Sequence, residues 1–97
     1  MRAAIMPCFV YILRCADGTL YTGWTTDLAA RERAHNEGRG AKYTTSRRPV
    51  RVVHAETHET RSAAQRREAE IKRWPRERKE ALIQEGGNHI ADDAGTR

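Results

Sequence analysis

No run of about 18 apolar residues occurs in this chain, which excludes a membrane-spanning helix of ordinary length. The first residues lack the long apolar stretch of a secretory signal, so a cytoplasmic setting is expected. Cysteine is scarce: Cys8 and Cys15 are the only two, with six residues between them. That spacing matches no zinc signature. The pair reads as two free thiols packing like small hydrophobes, with a bridge or redox chemistry as the alternative. No segment sets a basic face opposite large apolar residues, which argues against docking on a membrane surface. No internal repeat is present. Residues 86–97 hold little apolar content and are expected to form a frayed tail. Residues 1–6 read as an N-terminal extension, which leaves one domain over residues 7–85.

What the chain has instead is positive charge. Its 97 residues carry a net +5. The excess is local: residues 31–51 hold seven basic side chains against two acidic, and residues 61–80 hold eight against four. The remainder is net negative. A basic centre on a small domain points to a polyanionic partner, and surface solubility is the plainer alternative.

The apolar pattern gives the architecture. CFVYILRC, residues 8–15, is rich in β-branched and aromatic residues and reads as a strand. TLYTGW, residues 19–24, reads as a second, and Asp17-Gly18 between them is a hairpin signal. A two-residue loop sets Tyr21 opposite Arg14 and puts Tyr11 and Tyr21 on opposite faces. A three-residue loop, Ala16-Asp17-Gly18, sets Tyr21 opposite Leu13 and puts both tyrosines on one face. Gly18 stands where the three-residue loop needs a left-handed residue, and that loop is favoured. Thr26 or Asp27 caps a helix that Gly38 can end. On it Leu28, Arg31 and His35 share a face. A basic connector follows, with a short helical turn near Tyr43. Residues 50–58 form a third strand, and His54 and His58 read as surface residues on one of its faces. A helix opens at Thr60 or Ser62 and runs to about Arg73, and a last amphipathic helix follows Pro75 to about Glu85. The order β-β-α-β-α-α predicts an α+β fold, a three-stranded antiparallel sheet flanked by helices.

Several polar residues sit where packing alone would not put them. Glu68 lies between Ala64 and Ile71 on the stripe that should face the sheet. A carboxylate there needs an arginine partner or a functional role. Arg31 and His35, one turn apart, can grip a phosphate or activate a nucleophile, or can form a solvated helix face. Tyr11 and Tyr21 are core aromatics, or bases whose high phenol pKa needs a nearby cation.

The segments VYI (residues 10–12) and YTG (21–23) resemble the paired motif that names the GIY-YIG endonucleases. The likeness continues in order: Arg31 ten residues after Tyr21, His35 four further on, and Glu68 in EAEIK. It is strongest to the small single-domain bacterial branch similar to YhbQ. The resemblance implies a metal-dependent endonuclease that hydrolyses phosphodiesters by water attack. It implies one divalent ion, Mg²⁺ or Mn²⁺, on Glu68, and Arg31 on the scissile phosphate. It implies Tyr11 or Tyr21 as general base, with His35 in support. Tyr43 resembles a recurrent position of the small branch. Val10 replaces the name-giving glycine, Trp24 stands where some members carry lysine, and no asparagine follows Glu68 at the spacing several members use. Trp24 can stack on a base or sugar, or pack. Arg33, Lys42, Arg47, Arg48 and Arg66 are expected to track a nucleic-acid backbone, without reading sequence. DNA is favoured over RNA as the partner. A protein partner for targeting and a monomeric or weakly dimeric state complete the expectations. The rival reading is a nucleic-acid-binding module of the same fold without cleavage, and a third is a scaffold for a protein partner.

Overall fold

Alternation along the first strand divides the hydrophobic residues between two faces of one sheet. The computed structural model describes residues 7–91. Strand β1 (Cys8–Arg14) lies at the centre, with β2 (Leu20–Thr25) and β3 (Arg51–His58) antiparallel on either side. Cys8, Val10 and Ile12 face one way and pack with Ala64 and Ile71. Tyr11, Leu13 and Cys15 face the other way, with Val50, Leu28 and Tyr21. Val10, Ile12, Leu13 and Ile71 are fully buried, and burial of such a side chain stabilises by about 1.5–3 kcal/mol.

Helix α1 (Leu28–Asn36) and the single turn α2 (Lys42–Thr45) lie on the Tyr11 side of the sheet. Helices α3 (Arg61–Lys72) and α4 (Arg76–Ala91) lie on the Val10 side. The result is the expected α+β layering, with the helices divided between the two faces. Asp27 caps α1 by accepting from Ala30 N–H, and Thr60 caps α3 by accepting from Ala63 N–H.

The hairpin closes with the three-residue loop. Cys15 N–H donates to the Thr19 carbonyl at 2.8 Å, and Gly18 has φ 87°. Tyr21 therefore pairs with Leu13, and Tyr11 with Gly23. Both tyrosines lie on the α1 face.

Two expectations need correction. Helix α4 does not stop near Glu85 but runs on to Ala91. Gly86 is not a stop signal: a Cβ there would lie 2.1 Å from His54 Nδ1, so the glycine lets the helix backbone close onto β3. Of the expected tail, residues 92–97 lie outside the described residues, as does the N-terminal extension 1–6. His54 is not a surface residue but is 3% exposed. Glu56, two residues along the same face, accepts from His54 at 2.8 Å and from His58 at 3.2 Å, and Arg67 of α3 grips it at 2.9 Å. This polar cluster is how β3 joins α3.

Candidate active site

Strand β2 is an edge strand, and beside it the helices of both layers come together. Tyr11 of β1, Tyr21 of β2, Arg31 of α1 and Glu68 of α3 line one cavity of about 360 Å³, together with Trp24 and Arg61. A hairpin and two helices thus bring two phenols, two guanidinium groups and a carboxylate to one opening.

Tyr11 stands on the central strand yet reaches the edge. Its ring passes over Gly23, where a Cβ would lie 2.5 Å from the hydroxyl. Any larger residue at 23 would collide with it.

Behind Tyr11 lies a buried polar chain. The Tyr11 hydroxyl is 3.2 Å from His35 Nε2, and His35 Nδ1 is 2.7 Å from Thr44 Oγ1. The Thr44 hydroxyl donates to the Ala41 carbonyl at 2.9 Å. A hydroxyl has one proton, so Thr44 accepts from Nδ1–H of His35. Nε2 is then the free lone pair, and it accepts from Tyr11. All three side chains are buried. Burial pushes the Tyr11 phenol well above its ordinary value; Tyr21 and Glu68 add to the rise and Arg31 opposes it. Burial pushes His35 down, and Arg31 adds to that fall. The pair therefore rests as neutral phenol and neutral imidazole.

Tyr21 is held differently. Its ring lies 5.3 Å from His35 and stacks on Tyr43 at 6.0 Å. Arg47 covers the ring of Tyr43 at 4.0 Å, donates to the Tyr43 carbonyl and pairs with Asp17 at 3.2 Å.

Glu68 is not held by an arginine. Its partner is Lys72, one turn on, at 3.4 Å, and its side chain keeps 21% of its exposure. The Lys72 ammonium also lies 5.9 Å from the centre of the Tyr21 ring. A half-buried carboxylate open to a cavity is a hard oxygen donor suited to Mg²⁺ or Mn²⁺. No group of three or more His, Cys, Asp or Glu side chains able to hold a metal occurs among the described residues. Glu68 would be the single protein ligand, and the ion would keep most of its waters or share a substrate phosphate.

The remaining basic candidates separate by partner. Arg33 and Lys42 are exposed, and neither makes an ion pair among the described residues. Arg48 donates to the Thr45 and Asn36 carbonyls, which ties α2 to α1. Arg66 is exposed on α3, where it donates to Ser62, and does not line the cavity. Trp24 packs its inner side on the Val10 cluster, and Arg61 covers it at 5.4 Å. Sequence reasoning missed Arg61 and Thr44. Arg61 had a signal: it lies seven residues before Glu68, two turns earlier on the same helix face.

A family profile described as the GIY-YIG catalytic domain matches residues 7–81. A UPF0213 protein of Haloquadratum walsbyi is 56% identical over 78 residues, which span 80% of this chain and 88% of that one. A UPF0213 protein of Staphylococcus epidermidis is 55% identical over 78 residues, covering 80% of this chain and 95% of the relative. The solution NMR structure of a UPF0213 protein from Bacillus halodurans aligns with a TM-score of 0.56 at 44% identity, over 84% of this chain and 87% of that one. No described helix is long and apolar enough to cross a membrane. With the motif residues gathered at one cavity and the profile spanning most of its length, the chain belongs to the GIY-YIG nuclease family, among its small UPF0213 proteins.

Proposed function

We propose that this protein is a metal-dependent endonuclease that hydrolyses a nucleic-acid phosphodiester by water attack. The observation that carries the reading is the convergence of Tyr11, Tyr21, Arg31 and Glu68 on one cavity. Arg31 binds the scissile phosphate and offsets the charge that grows on it in the transition state. A divalent ion on Glu68 would neutralise the phosphate and ease departure of the leaving oxygen.

The buried chain supports Tyr11 as the base. Its phenol is too weak an acid to wait as phenolate. It acts instead as a relay: it takes a proton from the attacking water while its own proton passes to His35 Nε2. Thr44 holds His35 in the tautomer that leaves Nε2 open, and so is a positioning residue. The water oxygen bonds to phosphorus, the bond to the leaving oxygen breaks, and that oxygen takes a proton from solvent; the proton on His35 then returns through Tyr11 to solvent, which restores the neutral pair. Arg33 and Lys42, exposed and without ion-pair partners among the described residues, hold the flanking backbone.

The test is incubation of the purified protein with supercoiled, nicked and branched DNA and with RNA, in Mg²⁺ and in Mn²⁺. Wild type should cut only with metal. Glu68→Ala should lose at least about a hundredfold in rate, and Tyr11→Phe a similar amount, from loss of charge neutralisation and of proton transfer. Tyr21→Phe decides between the tyrosines: if it loses more than Tyr11→Phe, the base is Tyr21. Equal cutting by Glu68→Ala would mark a contaminating nuclease. No cutting on any substrate would leave a nucleic-acid-binding module, a reading favoured by the single carboxylate and by Trp24 where a cation would help a tyrosine ionise.

A further inference from the structure

Arg61 is the first residue of α3, exposed, and lines the cavity beside Trp24. Five other arginines, Arg14, Arg39, Arg47, Arg67 and Arg76, are each paired with a carboxylate. The two arginines in the cavity wall, Arg31 and Arg61, make no ion pair among the described residues. Glu68, the one carboxylate lining the cavity among the described residues, is already answered by Lys72. The cavity wall therefore presents two guanidinium groups that no carboxylate pairs among the described residues.

Helix stability does not account for Arg61. The first turn of a helix disfavours a cation, because the backbone N–H groups there already carry partial positive charge. The first turn of α3 holds no acidic residue to offset it. The contact of the Arg61 guanidinium is with the indole of Trp24, at 5.4 Å from the ring centre, within cation–π range. Trp24 is itself fixed by packing on the Val10 cluster. Trp24 also lines the cavity, beside Arg61. An arginine laid on an aromatic face keeps its donors at the plane's edge and loses little freedom when it binds a planar or tetrahedral oxyanion. A cavity wall with two unpaired arginines suits an anion that brings more than one negative group.

We propose that Arg61, beside Trp24 in the cavity wall, grips the backbone phosphate next to the one held by Arg31, so that the site takes a strand with at least two consecutive phosphates. This rests on the nuclease reading above. Arg61 acts in binding the strand, so its loss raises KM for a polynucleotide by more than it lowers kcat.

The test is titration of a labelled single-stranded deoxyoligonucleotide with the intact protein in Ca²⁺ over a range of KCl concentrations. Arg61→Ala should bind about tenfold more weakly, with a slope of log K against log salt shallower by about 0.7. Arg61→Lys should restore the slope but not the full affinity. Trp24→Leu should weaken binding by wild type and cost nothing more in the Arg61→Ala protein. Arg78→Ala, which removes an equal charge from α4 over Trp74, should leave the slope unchanged. If Arg61→Ala destabilises the fold in a thermal melt, Arg61→Gln carries the test. Wild-type affinity and slope in a folded Arg61 variant would overturn the proposal, as would an equal loss in Arg78→Ala, since that would mean net charge alone. Binding here by a wild type that cuts nothing in Mg²⁺ or Mn²⁺ would overturn the nuclease reading and leave the Arg61 comparison standing. A wild type that binds no strand would overturn both.

Discussion

Gly23 and Tyr11 face each other across the hairpin, and the glycine is there for space. A Cβ at 23 would lie 2.7 Å from the ring carbon bearing the Tyr11 hydroxyl, and that ring is only 2% exposed. The ring cannot move aside without breaking its contact with His35. Gly23→Ala should therefore cost about 1–3 kcal/mol of stability by overpacking, and should cut activity at least as much as Tyr11→Phe. Thermal melts and a cleavage assay check both. The stability cost should shrink in a Tyr11→Leu background, where the space is free; an undiminished cost would place the strain elsewhere. At this scale the sequence was legible where strand alternation and turn length decide the outcome. Asp17-Gly18 and the alternation of β1 put both tyrosines on one face, and the spacing put Glu68 on the inward stripe of α3. Thr44 was not legible, because its contact with His35 joins α2 to α1 through a fold that local spacing does not specify. Trp24 was legible as an aromatic but not as a seat for Arg61, which arrives from 37 residues further along the chain.

Two carboxylate–arginine clusters hold the helices of the Val10 layer to the sheet. Glu56 of β3 accepts from Arg67 of α3, and Arg14 of β1 donates twice to Glu80 of α4, at 3.0 and 2.8 Å. Arg76 adds a further bond to Glu80. Burial alone would raise Glu56, but the hydrogen bonds from His54, Arg67 and His58 outweigh it and hold it far below its ordinary 4.5. The Arg14 hydrogen bonds lower Glu80 to about 2, against a smaller opposing effect of burial. Both folded values lie below the unfolded one, so this stabilisation is complete above the ordinary value and is lost as protons are taken up below it. The melting temperature should be flat above about pH 5. It should fall as the pH drops from 4.5 through about 2. Glu80→Gln should flatten that fall, and Glu56→Gln should lower stability at neutral pH by about 2–3 kcal/mol, as expected when hydrogen-bonded charges lose a partly buried partner. Calorimetry at a series of pH values decides; a fall that is unchanged in both variants would move the acid sensitivity to other groups. The helices and strands here were mostly legible from caps and alternation. The end of α4 was not, because Gly86 reads as a stop in sequence but serves as a contact with His54. The Glu56 cluster was hidden for a related reason: a strand His–x–Glu–x–His face looks solvent-borne until a helix is laid over it.

A basic chain offers more cations than a ligand can use, because many are spent inside the fold. Counted along the sequence, Arg31, Arg33, Lys42, Arg47, Arg48 and Arg66 form a broad track, and Arg61 lengthens it. In the folded molecule Arg47 is tied to Asp17 and Tyr43, Arg48 to the carbonyls of Thr45 and Asn36, and Arg66 to the Ser62 hydroxyl, away from the cavity. Arg31, Arg33, Lys42 and Arg61 keep their guanidinium or ammonium groups free of ion pairs among the described residues. Each phosphate neutralised on a single strand contributes about −0.7 to the slope of log K against log salt, so about four contacts give about −3, and the whole track about −5. The expected slope is the shallower one. Arg33→Ala and Lys42→Ala should each reduce it by about 0.7 and leave the melting temperature alone. Arg47→Ala should do the reverse, because removing it uncovers Tyr43, releases Asp17 and loosens the stack on Tyr21. A measured slope near −5, with Arg47→Ala lowering it, would mean that Arg47 leaves Asp17 to meet the strand. The Tyr21–Tyr43 stack would then be rearranged by the ligand rather than set in advance, and the binding surface would be one that forms on contact.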